Sequence, residues 1–360
     1  MKSLNRLILA GLLIFSVFIT ACAGDDPEPE PLNKYNNGIL IANEGNFGEG
    51  NGSISYYSFD KDTVANKIFE AENNRPLGDV VQSVIRNDDK VIIAVNNSNK
   101  IEVVDGETFK SIATVDVKQP RYVVVYGGKA FVTSWANGGK VYVVNLDSYE
   151  IVDSITVGNA PEGLIVVNEK LYVANTGQGQ EQTITIIKLS DYSIVKTLNI
   201  DAYSPCQLVK DVNGMIWVLA SGQIEYDENW NVLGHLPAAL VQIDPNADNL
   251  ANHMYILIEE QEHPTKLGIN KAGDKIYIGG GSARGLYAMS ISATSAPTEP
   301  IIDQANYGFI IDKVNDVIFL LQAVYNANGK LIRYNADGEK LGEYTVGIFT
   351  TGGGKFFPDK

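Results

Sequence analysis

The chain has 360 residues, 45% of them hydrophobic, with a formal net charge of −15. That apolar share is ample for a packed core, and one all-β domain can run this long. So large an excess of acid argues against nucleic acid as a partner, and two cysteines cannot build a disulfide framework.

The N-terminus reads as an address rather than as fold. Lys2 and Arg6 precede an apolar run from Leu7 to Ile19, too short for a transmembrane helix. Ile19-Thr20-Ala21-Cys22 resembles a bacterial lipobox, which implies cleavage after residue 21 and a lipid on Cys22. The alternative is an ordinary secretory signal cut nearby. Cleavage removes two bases and no acid, so the mature chain is more acidic still. Asp25-Asp26 and Pro27-Glu28-Pro29-Glu30-Pro31 then form an extended, charged tether over residues 22–37. An acidic stretch behind a lipidated cysteine resembles a surface-export signal. It implies the outer membrane, anchored by lipid and facing outwards. A periplasm-facing lipoprotein is the alternative. With Cys22 lipidated, Cys206 stands alone as a small packed residue.

From residue 38 to the end the pattern is a repeat. Ile39–Ala42, Val91–Ala94, Ala130–Thr133, Leu171–Ala174, Ile216–Leu219, Ile276–Gly279 and Ile318–Leu321 are short β-branched or aromatic strands. They recur roughly every 40–60 residues, the period of a propeller blade. Around Leu171 four such strands occupy one repeat, with turns at Asn168-Glu169 and Leu189-Ser190-Asp191. A four-stranded sheet alone cannot bury both faces, so blades pack radially. The reading is an all-β, seven-bladed β-propeller of four-stranded antiparallel blades spanning residues 38–360.

Taken in order, blade 1 has strands at Ile39–Ala42, near Ser53–Phe59 and near Val64–Phe69, and no inner strand before them. Residues near 347–357 follow the last outer strand and should supply it, closing the ring and removing its free edges. Blades 2 to 4 are the regular ones, over 77–117, 118–157 and 158–200. Blade 5, over 201–260, carries an insertion at about 221–238 that includes Tyr226, Trp230 and His235. Loops this long inside a compact domain are functional or mobile. Blades 6 and 7 cover 261–303 and 304–346.

Catalytic motifs are missing from the sequence. His235, His253 and His263 have no metal-ligand spacing, and there is no HExxH or cysteine cluster. Gly279 to Gly285 does not fit a nucleophile elbow, and Thr351 to Lys355 lacks the spacing of a phosphate loop. The expectation is therefore no enzyme, no metal and no tightly bound cofactor. What stands out is one set of loops. In a propeller the linkers between blades share a face with the loops joining second to third strands. Here that ring is rich in amides and aromatics, suited to a bulky polar ligand. The candidate ligand residues are Asn43, Phe47, Arg75, Arg121, Trp135, Asn175, Tyr203, Trp230, Arg284 and Tyr325. For any one Asn the competing role is that of a turn former.

Tyr172-Val173-Ala174-Asn175, Phe131-Val132-Thr133-Ser134 and the linkers Gly158-Asn159-Ala160-Pro161-Glu162-Gly163 and Lys118-Gln119-Pro120-Arg121 resemble the YVTN propellers. The likeness spans nearly all of 38–357. It speaks to fold, not to function, because propellers host binding modules and enzymes alike. Lipobox, acidic tether and seven blades together resemble the surface-exposed, cobalamin-capturing lipoproteins of gut Bacteroidetes, the BtuG type. That resemblance implies capture of cobalamin (vitamin B12) or a related corrinoid and its transfer to an outer-membrane transporter. Two other readings stay open, a glycan-binding or surface-layer propeller and a propeller enzyme such as a lyase or lactonase.

Overall fold

The computed structural model describes residues 34–256, 261–324, 326–352 and 355–356. Among the described residues seven antiparallel blade sheets follow one another along the chain, one to each repeat, and blade 5 adds a two-stranded sheet of its own. Blades 2, 3, 4, 5 and 7 each have four strands, and their inner strands are Val81–Asn87, Pro120–Tyr126, Pro161–Val167, Pro205–Lys210 and Gly308–Asp312. In blade 6 three strands run in order, and a single bridge between Leu286 and Ile302 occupies the outer position. Blade 1 is completed from the far end of the chain: Thr350–Gly352 and Lys355–Phe356 pair antiparallel with Gly38–Asn43.

The second strands carry the longest buried runs, complete in Gly38–Asn43 and Leu171–Asn175, because both their faces meet neighbouring blades; in blade 7 the run is Ile318–Leu321. Outer strands such as Ile151–Thr156 bury one residue only. The two-residue period of a strand sends alternate side chains to opposite neighbours. Leu40 and Ala42 pack toward blade 2, with Leu77, Val84 and Phe109, while Ile39 and Ile41 pack toward blade 7, with Phe319, Leu321 and Val346. Each hydrophobic cluster joins two adjacent blades in this way, and the cluster at Ile39 and Ile41 seals blade 7 to blade 1.

Two elements differ from the sequence reading. The outer strand expected over Val64–Phe69 is only Thr63–Ala65, and Ile68–Asn73 is a helix. Lys67 and Asn74, both left-handed, bound it, and its buried Ile68 and Phe69 enter the cluster between blades 1 and 2. An extended strand would alternate Ile68 and Phe69 between opposite faces, whereas the helix turns both inward. The blade 5 insertion folds as a two-stranded hairpin, Gln223–Tyr226 with Val232–Leu236.

Linkers and second-to-third-strand loops meet on one face through main-chain bonds. Trp135 N donates to Gln119 O (3.2 Å), Thr176 N to Ala160 O (3.2 Å), Ser221 N to Ser204 O (2.9 Å) and Thr265 N to Gly279 O (3.1 Å). The hairpin of blade 5 rises from this same face.

Candidate functional site: the mouth of the channel

The inner strands begin at this face, and their first residues point toward the axis for a backbone reason. Register shifts interrupt the inner strands of blades 2 to 5 between Val81 and Ser83, Pro120 and Val123, Pro161 and Leu164, and Pro205 and Gln207. Such a bulge re-aims the side chains beside it. Just before each of these strands stands a left-handed residue: Val80, Gln119, Ala160 and Ser204, with φ of 55, 42, 45 and 57°. Phe349, with φ 48°, holds the same place before the closing strand. Non-glycine residues in that region cost about 1–2 kcal/mol each. Repetition of that strain at one place in successive blades marks a shaped mouth. The approach is close: a Cβ on Gly163 would lie 2.6 Å from the carbonyl oxygen of Cys206 in the next blade.

The mouth is a cavity of about 320 Å³, lined among others by Glu44, Gln82, Arg121, Tyr122, Glu162, Gln207, Lys266 and Tyr307. Arg121 donates from Nε to Glu162 Oε1 (2.7 Å) and from Nη1 to Gln82 Oε1 (2.5 Å). Its guanidinium lies 4.0 Å from the ring centre of Trp135. The Trp135 Nε1 donor is buried with no partner among the described residues. Lys266, from blade 6, reaches across the channel to the Tyr122 hydroxyl of blade 3 (3.0 Å). An ammonium has three donors, and no carboxylate pairs directly with Lys266 among the described residues.

Burial disfavours charge on both cations, yet both stay protonated. For Arg121 the nearby Glu162 and Tyr122 outweigh burial and raise the pKa. For Lys266 the same is done by Tyr122, Glu44 and Glu162. Glu44 goes the other way: burial raises its carboxyl pKa, and Lys266 and Arg121 offset this only in part. The mouth thus holds two carboxyl groups and two cations, with spare donors on Lys266. Such a set can grip a neutral group that both accepts and donates hydrogen bonds.

The candidates read from sequence are scattered by the fold. Arg121 lines the cavity and Trp135 supports it. Tyr203 sits half-buried in the linker to blade 5, where its carbonyl accepts from Gly222 N (3.0 Å). Phe47 is 80% exposed on the loop of blade 1. Asn43 and Asn175 are fully buried, and their amides donate inside their own sheets to Ser55 (2.9 Å) and Thr185 (3.0 Å), so a ligand on this face does not reach them. Arg75 is tied to Glu102 (2.5 Å) and lies over the Phe69 ring, between blades 1 and 2. Arg284 pairs with Glu299 (2.6 Å). Trp230 is at the tip of the blade 5 hairpin, and Tyr325 lies outside the described residues. Cys22 does too.

Gln82, Tyr122, Gln207 and Lys266 were not among those candidates. A signal for them exists in the linkers: the residue after Pro120, Pro161 and Pro205 repeats one position in successive blades, occupied by Arg121, Glu162 and Cys206. Aligning the repeats on that position leads to the inner-strand ends.

Cys206 also lines the cavity, but its thiol is 7% exposed, and burial pushes its pKa up to about 12. Alkylation by iodoacetamide at pH 8 should be about a thousandfold slower than for a free thiol of pKa about 8.5. In denaturant it should be rapid. Native labelling at the free-thiol rate would show that the thiol is open to solvent and ionises as a free one does. Among the described residues no group of three or more His, Cys, Asp or Glu is placed to hold a metal ion.

The family DUF5074, described as a domain of unknown function, matches residues 37–306. No curated protein matches the chain. Among solved structures, a chain titled "Kuenenia stuttgartiensis Hydrazine Synthase" superposes with a TM-score of 0.55 at 15% identity, over 71% of this chain and 77% of that one. A second, "Structure of U3-55K", gives 0.54 at 10% identity, over 74% and 81%. At such identities the likeness is one of fold alone.

Proposed function

The chain belongs to the DUF5074 family, and from that premise we propose that its propeller is a non-catalytic capture module that takes a bulky, amide-bearing ligand on the channel mouth. Cobalamin or a related corrinoid is the candidate, and an outer-membrane transporter is the receiver. The observation that carries this reading is that Lys266, with donors to spare, and Glu44 line one cavity. A primary amide accepts through its oxygen and donates through its nitrogen, so it complements both. The rim of a corrin bears several such amides, which need partners once removed from water. The ligand is larger than the cavity, so its body would lie over the mouth and one arm would enter. The closed ring holds these groups in place before binding, which lowers the ordering cost. Lipid on Cys22 and an outward orientation complete the proposal, resting on the lipobox and acidic tether.

The test is calorimetric or spectral titration of residues 32–360 with cyanocobalamin. Saturable binding with no change in the ligand is expected. Lys266→Met should weaken it about tenfold to a hundredfold, the worth of hydrogen bonds to a charged group, about 1.5–3 kcal/mol. Its melting temperature should change little, because among the described residues Lys266 has one direct side-chain partner, the Tyr122 hydroxyl. No binding at micromolar protein would end the corrinoid reading.

A further inference from the structure

The blade 5 hairpin walls a second concavity beside the mouth, of about 400 Å³. Its other wall is the blade 4 loop at Gly177–Gly179, and its lining includes Gln178, Gln180, Gln223, Tyr226, Trp230 and His263. Among the described residues no Asp, Glu, Lys or Arg lines it. In a chain that is 20% charged and carries −15 overall, an uncharged groove on the functional face selects against ionic ligands. Its polar groups include the side-chain amides of Gln178, Gln180 and Gln223, each both donor and acceptor, beside Ser221 and His263. Its aromatic groups are Trp230, 81% exposed, and Tyr226, 45% exposed, splayed with ring centres 5.8 Å apart at 56°.

The backbone holds this arrangement at a cost. Trp230 has φ 64° and Gln178, on the facing wall, φ 54°. Asp227 clamps the hairpin tip, accepting from Asn229 N and Asn231 N at 2.8 Å each. The base of the hairpin is fastened to the next linker by two histidines. His263 Nδ1 lies 2.7 Å from the Ser221 carbonyl oxygen, which can only accept, so Nδ1 carries the proton. With the His263 ring neutral, its Nε2 accepts from His235 Nδ1 at 2.8 Å. An indole left in solvent on a strained, braced turn lacks a packing role within the fold.

We propose that this groove is a binding site for a neutral carbohydrate, with the apolar face of a sugar ring on Trp230 and its hydroxyls on the glutamine amides. Aromatic surface for the ring and uncharged, two-way hydrogen-bonding groups for the hydroxyls are the chemistry such a ligand requires. This site differs in kind from the mouth, where four charged side chains converge, and it does not depend on the capture reading.

The test uses the full chain solubilised in an amine-oxide detergent, which carries no sugar. Cellohexaose, maltohexaose and mannohexaose are titrated to 10 mM against hexagalacturonate as the anionic control. Of the three tryptophans Trp217 is fully buried and Trp135 lies under Arg121 at the mouth, so the part of the emission change that is lost in Trp230→Phe reports on Trp230. At least one neutral hexasaccharide should saturate with a shift in emission, and hexagalacturonate should not bind. By calorimetry Trp230→Ala should weaken the sugar at least tenfold, and Trp230→Phe should restore part of the affinity. Lys266→Met should leave sugar binding unchanged, which separates failure here from failure at the mouth. The proposal is overturned if none of the three sugars binds, if hexagalacturonate binds as well, or if Trp230→Ala binds like the wild type.

Discussion

Removing residues 349–360 should abolish cooperative folding of the whole propeller, a loss of more than about 4 kcal/mol, the range reserved for loss of a core element. The truncation takes away Thr350–Gly352 and Lys355–Phe356, the only inner strand that blade 1 has among the described residues. It also takes the carbonyl of Phe349, which accepts from Glu44 N at 2.9 Å. Gly38–Asn43, buried along its whole length, then becomes an open edge. The outer part of the seam keeps its polar ties, Arg333 to Asp62 at 2.8 Å and Asn66 to Thr345 O at 3.1 Å. Exposed ties of this kind contribute about 0–1 kcal/mol each and do not replace a strand. Thermal melts followed by circular dichroism decide the matter: a truncated chain melting like the full one would show that the ring does not depend on its closing strand.

Replacing Glu102 by Gln should lower stability at pH 7 by about 3 kcal/mol, the lower end for breaking a buried ion pair. Glu102 stands on the third strand of blade 2 with a fully buried side chain. It accepts from Arg75 Nη2 (2.5 Å), Lys100 Nζ (2.8 Å) and Ser111 Oγ (2.5 Å). The lower end applies because Arg75 and Lys100 keep 39% and 14% of their side-chain surface and can turn to water. Burial alone would raise the Glu102 pKa, but the hydrogen bonds from Lys100, Ser111 and Arg75 outweigh it and hold it below the usual value. A carboxyl depressed in the folded state stabilises fully above its unfolded pKa, about 4.3, and loses that contribution as pH falls through the folded pKa. The gap between wild type and Glu102→Gln should therefore be widest at pH 7, nearly intact at pH 5 and closing below pH 4. Urea melts at pH 7, 5 and 3 measure it. A gap that does not change with pH would mean that the effect is one of packing, not of charge.

Much of this molecule is determined by its sequence alone. Runs such as Leu171-Tyr172-Val173-Ala174 recur at blade period, and a four-stranded sheet with two apolar faces has no stable form but packing between two others. The number of blades follows from counting those runs. The missing first strand of blade 1, set against the spare segment after residue 346, implies closure, because an open ring leaves two unpaired edges. The helix Ile68–Asn73 was not legible, since Ile68 and Phe69 continue a β-like run and only the pocket between blades 1 and 2 makes the helical turn pay.

The site was legible only in part. Composition pointed to the linker face, where the mouth cavity lies, but Asn43 and Asn175, which look like loop amides in the sequence, are turned inward by strand register. Only tertiary structure decided which residues converge. Lys266 and Tyr122 lie far apart in the chain and meet across the channel because blades 3 and 6 stand on opposite sides of one axis. Bulges and left-handed linkers aim Arg121 and Glu162 inward, and nothing local to either residue records that direction. Periodic burial is a local property that each strand carries in its own residues, whereas convergence on an axis belongs to the closed ring.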